Sequence, residues 1–105
     1  MQIHIQSRDF SLTESLLGYA QQRLIFAMAY CSGHVKRVVV RLSEINGPHG
    51  GAGKRCHIQV VLAGIPDVVI EDTQVDLHSA IDHAIARAKR TVVRQVDRQL
   101  APGTI

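Results

Sequence analysis

The chain has 105 residues and a formal charge of +3, with 46% hydrophobic and 20% charged residues. That composition excludes an intrinsically disordered chain and predicts one folded domain, 1–105, with a core of its own. Aromatics are 4% and Trp is absent, so the core must be aliphatic, and a pI of about 9.2 is too mild a bias to name a partner.

The opening MQIHIQ has neither a charged leader nor an apolar segment, so no signal peptide is expected. No apolar run reaches the length of a membrane span, and the expected setting is cytoplasmic with no membrane partner. Gln2 to Gln6 alternates Ile3 and Ile5 with polar residues, the pattern of a half-buried strand. Ser7, Arg8 and Asp9 form the exit turn. Ser11 and Glu14 fit a capping box, with Thr13 as the rival cap. The helix that follows, ESLLGYAQQRLIFAMAY, puts Leu16, Leu17, Ala20, Leu24, Ala27 and Met28 on one side and leaves Phe26 on or near the other. Gly33 is placed as a left-handed stop, with Ser32 and His34 completing the turn.

Val35 to Ile45 is β-branched and alternating, a second strand with Val38, Val40 and Leu42 on one face and Arg37, Val39 and Arg41 on the other. Asn46 to Lys54 is too glycine-rich for a regular element and predicts a mobile hairpin loop. Arg55 to Leu62 is the third strand, with Cys56, Ile58, Val60 and Leu62 inward. Gly64, Pro66 and Asp67 turn the chain into a fourth strand, Val68 to Asp72, and APGTI closes the sequence as a short frayed end.

From Asp76 to Leu100 the sequence predicts one long amphipathic helix. Leu77, Ile81, Ala84, Ile85, Ala88, Val92 and Val96 recur at three- and four-residue steps and make one apolar stripe. Asp76 is the expected N-cap. His83, Arg87, Arg90, Arg94 and Arg98 fall together on the opposite face. Arg87 to Arg98 spans about 16 Å at about 1.5 Å per residue, long enough for the row to meet several backbone phosphates as bidentate forks. The bland alternative is a solvated face, but five Lys/Arg stand against three Asp/Glu from residue 76 to 100, and the arginines are sorted onto one side.

The element order β-α-β-β-β-α implies a right-handed crossover with the first two strands parallel and an antiparallel meander after them. Both helices carry one apolar stripe, so both should cover one face of a four-stranded mixed sheet, an α+β layout similar to double-stranded-RNA-binding domains. The open face would then show Gln2, His4, Gln6, Arg37, Arg41, His57 and Gln59, a polar and weakly basic surface that suits solvent and RNA equally.

Other chemistries fit less well. A nucleotide-binding loop needs glycine, four residues, then Gly-Lys-Ser/Thr leading into a helix. Here Pro48 stands where the first glycine belongs, Arg55 where the hydroxyl belongs, and a strand follows. A softer reading keeps His49, Lys54 and Arg55 as contacts to an RNA backbone. His78 and Asp82 lie one turn apart with His83 adjacent, but two candidate ligands on a helix are not a zinc site, which generally wants three or four converging groups. Cys31 and Cys56 lack metal-like spacing and are expected as buried thiols. Glu71 and Asp72 are adjacent and point to opposite faces of a strand; no catalytic set emerges, and neither an enzyme nor a cofactor is expected.

Residues 71–82 carry a resemblance. Glu71-Asp72 followed by Asp76-Leu77-His78-Ser79-Ala80-Ile81-Asp82 is similar to the acidic strand end and Asp-Met/Leu-Tyr-x-Ala-Ile-Asp motif of the ribosome hibernation-promoting factor and ribosome-associated translation inhibitor family. MQIHIQ, Leu12-Thr13-Glu14, Leu16, Tyr19, Arg23, Leu24 and Tyr30 also occupy family-like positions, and the resemblance covers Met1 to Leu100. His78 replaces the usual tyrosine, Lys89 a commonly acidic residue and Phe26 a usually charged one; the Gly-rich loop is longer than is typical. The resemblance implies a factor that binds rRNA of the small ribosomal subunit between head and body, blocks the mRNA and tRNA sites and keeps idle ribosomes inactive. Arg87, Arg90 and Arg94 match its usually basic positions, Arg98 and Lys89 extend the basic surface, and Arg8 and Arg23 are further matches. The long form's dimerising domain is absent from the sequence, which implies a short-form role with a ribosome-dimerising helper protein as a further partner. The alternatives are a protein–protein adaptor using a sheet edge or the Phe26 region, and a divergent RNA-binding paralogue with a non-ribosomal target.

Overall fold

The computed structural model describes residues 1–46 and 52–100. The elements are β1 (Gln2–Ser7), α1 (Glu14–Met28), a 3₁₀ helix (Ala29–His34), β2 (Val35–Asn46), β3 (Ala52–Leu62), β4 (Ile65–Gln74) and α2 (Leu77–Leu100). The middle of the expected hairpin loop and the APGTI tail lie outside the described residues.

The sheet runs β1-β2-β3-β4, with β1 parallel to β2 and the other pairs antiparallel. This is the expected mixed sheet, and both helices cover one of its faces. Val38, Val40, Leu42, Cys56, Ile58, Val60 and Leu62 from the sheet meet Leu16, Ala20, Leu24, Ala27 and Met28 of α1 and Ala80, Ile81, Ala84, Ile85, Ala88, Val92 and Val96 of α2. No polar or charged residue is buried among them. The small Ala80, Ala84 and Ala88 let α2 lie close to the strands, so a core without Trp still packs.

Several local expectations are corrected. The first helix is capped by Thr13, not by Ser11: the Leu16 amide donates to Thr13 Oγ1 at 3.1 Å. It ends at Met28 and tightens into the 3₁₀ helix, with the Ala29 amide bonded to the Phe26 carbonyl. Bonds over three residues close this helix end, so Gly33 is no left-handed stop. Among the described residues positive φ belongs to Asp9 and Gly64. Gly64 makes the tight β3–β4 turn, where any side chain would be strained.

All four strands outrun their sequence bounds. Ala52, Gly53 and Lys54, expected in the loop, belong to β3. A Cβ on Gly53 would sit 2.9 Å from Thr73 Cγ2, so glycine here permits close approach to β4 and does not mark a loop. Pro66 and Asp67, expected in a turn, lie in β4, where the pairing with β3 shifts register between Val60 and Leu62. β4 is an edge strand, and at an edge or an irregularity of pairing proline's missing N–H costs the sheet no ladder bond. A second irregularity between Val35 and Arg37 of β2 lets Val35 and Val38, three residues apart, both point into the core.

Both cysteines are free and buried. Burial, reinforced by the Asp72 charge, pushes the Cys56 thiol up to about 12. Burial first and the Asp97 charge second raise Cys31.

Candidate nucleic-acid interface

Asp76 starts α2 as its composition demands. Its carboxylate accepts from the Ser79 amide at 2.8 Å and from the Ser79 hydroxyl at 3.0 Å. These two bonds hold the carboxyl below the usual aspartate value. With the helix so phased, His83, Arg87, Arg90, Arg94 and Arg98 are all exposed.

The row is not uniform. Arg87 folds back over β4: one guanidinium nitrogen donates to the Glu71 carbonyl at 2.6 Å and to Asp72 Oδ2 at 3.1 Å. Asp72 is only 11% exposed at its side chain and also accepts from Gln74 at 2.6 Å. Arg87 therefore fastens α2 to the strand before it. Arg90, Arg94 and Arg98, together with Lys89 on the neighbouring flank, are exposed and, among the described residues, within ion-pair distance of no carboxylate.

The seam between the two helices holds Arg23. Tyr19 donates its hydroxyl to Asp82 Oδ1 at 2.6 Å, and Arg23 Nε stands 3.4 Å from the same oxygen. The carboxylate bond, with burial second, lifts the Tyr19 phenol above its ordinary value. His78 packs its ring on Tyr19 at a centroid distance of 4.9 Å. Asp82 and His78, one turn apart in the metal reading, are thus engaged in joining the helices. Among the described residues no three metal-ligating side chains converge. Farther along, Phe26 of α1 is 79% exposed and Tyr30 of the 3₁₀ helix 71% exposed. With Ile25, Gln22 and Ala29, Phe26 borders a shallow groove of about 750 Å³.

The remaining sequence-derived cations lie on the sheet. Lys54 of β3 is paired with Glu44, its cross-strand neighbour's side chain on β2. Arg8 and Arg55 open onto the sheet's helix-free face and line a depression of about 400 Å³ with Gln6, Ser7, Arg41, Leu42, Ser43, His57 and Glu71. Two cross-strand rows build it. Gln6 pairs with Arg41, Arg41 with His57 and His57 with Glu71; beside them Ser43 pairs with Arg55 and Arg55 with Thr73. Arg8 is held at the rim because its amide donates to the Leu42 carbonyl at 2.8 Å. The next residue, Asp9, takes φ 72°, and the Ser7 hydroxyl closes the turn on the Phe10 carbonyl at 2.7 Å. Arg41 and His57 read from sequence as separate open-face residues; the strand register makes them one site with Arg55.

Fold and surface together define a class: a compact α+β domain, four mixed strands backed by two helices, with cations on both outer surfaces. The chain belongs to the Sigma 54 modulation protein / S30EA ribosomal protein family, whose model matches residues 3–100. The N-terminal domain of Protein Y from Thermus thermophilus is 29% identical and superposes with a TM-score of 0.74, covering 90% of this chain and 98% of that one. A ribosomal subunit interface protein from Coxiella burnetii has the same fold at 14% identity and a TM-score of 0.75, covering 90% and 96%. No curated protein sequence matches the chain.

Proposed function

We propose that this chain is a single ribosome-binding domain that represses translation by occupying the small subunit, with exposed cations of α2 set against rRNA. Family membership supplies the ribosomal setting, and with it a cytoplasmic location. The observation that carries the assignment to α2 is the row Arg90, Arg94 and Arg98, flanked by Lys89 and free of ion pairs among the described residues. Guanidiniums kept exposed and unpaired on a rigid helix can take phosphate oxygens without first breaking internal contacts. The action is occupancy of the mRNA and tRNA sites between head and body; no bond is made or broken, and stress-induced idling of ribosomes is the setting in which such occupancy is useful. A dimerising helper protein would act on the ribosome so occupied.

The test is co-sedimentation with separated ribosomal subunits across a salt series. Binding to the small subunit should weaken with salt, with a log–log slope of roughly −2 to −3 for three or four phosphate contacts. Arg90→Glu/Arg94→Glu/Arg98→Glu should abolish it while sparing Arg87, whose bonds to β4 belong to the fold. If that variant still co-sediments, the assigned face is wrong.

A second reading has one observation in its favour. The groove at Ile25 and Phe26 is apolar and exposed, as an adaptor's docking surface would be. Its complex would be with a protein and insensitive to salt, and Phe26→Ala would weaken it.

A further inference from the structure

We infer that the depression on the helix-free face of the sheet is a second phosphate-binding site, separate from the α2 row. Arg8, Arg41 and Arg55 enter it from the β1 exit, β2 and β3, and Glu71 is its one carboxylate, so these four side chains carry a net charge of +2. Among the described residues none of the three arginines is within ion-pair distance of an acid. Like charges gathered on a surface without partners repel one another, and a bound anion relieves that repulsion.

The geometry selects the kind of anion. Arg41 pairs with His57, and Arg55 lies two residues before His57 on the same strand. Arg41 and Arg55 are therefore diagonal neighbours, roughly 7–8 Å apart at the backbone. Arg8 comes from the opposite side, beyond Ser7 and Leu42. Donors converging from three directions suit a tetrahedral phosphate, which offers oxygens in several planes; a planar carboxylate would satisfy one fork and leave the others unmet. The Gln6 amide and Ser43 hydroxyl line the same hollow and add neutral donors. A volume of about 400 Å³ holds one or two phosphate groups and leaves the rest of a ligand on the open sheet. The source is either the backbone of a single-stranded RNA or a free nucleotide.

The two basic surfaces lie on opposite sides of the molecule, with the sheet and α2 between them. A ligand in the depression therefore leaves Arg90, Arg94 and Arg98 free. The inference does not rest on the ribosomal reading, and its test uses the full chain without ribosomes.

Sodium pyrophosphate is titrated at low salt while backbone amide resonances are followed. Shifts should centre on Ser7, Arg8, Leu42, Ser43 and His57. Arg41→Gln/Arg55→Gln should weaken binding by roughly tenfold or more, as the loss of charge-assisted bonds implies. Arg90→Gln/Arg94→Gln should leave the affinity unchanged. Glu71→Gln removes the opposing carboxylate and should tighten binding about threefold, a gain that misfolding cannot imitate. Competition then identifies the source: displacement by a uridine octanucleotide indicates an RNA backbone, and displacement by ATP alone indicates a free nucleotide. The inference is overturned if pyrophosphate shifts map to α2, if Arg41→Gln/Arg55→Gln binds as the parent does, or if pyrophosphate produces no shifts.

Discussion

The two basic surfaces differ in how they are built. On α2 the cations lie in a line on one rigid rod, each a turn from the next, and Arg90, Arg94 and Arg98 stand into solvent. On the sheet the cations converge: Arg8 from the β1 exit, Arg41 from β2 and Arg55 from β3 meet in one hollow, with Glu71 opposite. A line suits an extended polymer whose charges repeat, and a hollow suits a single compact anion. The same residue type thus serves two geometries, decided by the backbone beneath it.

The largest effect expected is loss of what holds the surfaces back to back. Ile58 is fully buried between them; Ile58→Ala should destabilise the fold by about 2–5 kcal/mol in urea unfolding. Cys56 beside it, its thiol pushed up to about 12, should react with a disulfide reagent at pH 8 only through opening, and Ile58→Ala should speed that labelling. Next comes independence of the surfaces. Combining Arg41→Gln/Arg55→Gln with Arg90→Gln/Arg94→Gln should change pyrophosphate affinity as the first pair does alone, to within about 0.5 kcal/mol; strong coupling would break the distinction. Smaller still is the Arg87 fastening. Arg87 is 45% exposed, so screening limits its ion pair to at most about 1 kcal/mol, and a double-mutant cycle of Arg87→Gln with Asp72→Asn should recover a coupling of that order. The smallest is the Asp76 cap. Its carboxyl lies below the ordinary value of 3.8, so its contribution is present above that pH and fades as pH falls through the lowered value. Asp76→Ala should lower the melting temperature at pH 7 and leave it unchanged well below pH 3.8.

Legibility followed the range of the interactions. The α2 stripe, its Asp76 cap and its basic face were readable because one helix's period fixes all three within a continuous segment. The alternation of β2 and β3 likewise separated Arg41 and His57 from Val40 and Ile58. The partners of the cations were not readable. Arg87 is bound by residues 15 and 16 positions earlier, and Arg23 meets Asp82 through helix packing. Lys54 meets Glu44 through a register that includes glycine and alanine inside a strand. Gly53 and Pro66 misled for one reason: each carries a strong local turn signal that a tertiary neighbour overrules, Thr73 for the first and an edge position for the second. The family-like motif around Asp76 located the fold correctly and left open which arginines stand free.

Pro66 and Asp67 have a consequence for how copies of this protein meet. A sheet with a bare outer strand is a template on which another chain can add its own, and such growth would stack molecules edge to edge. β4 is blunted against this: Pro66 offers no amide, the local register shift bends the strand, and Asp67, holding Gln59 at 2.8 Å, sets a negative charge beside it. Crowded copies therefore gain little by zipping together along β4.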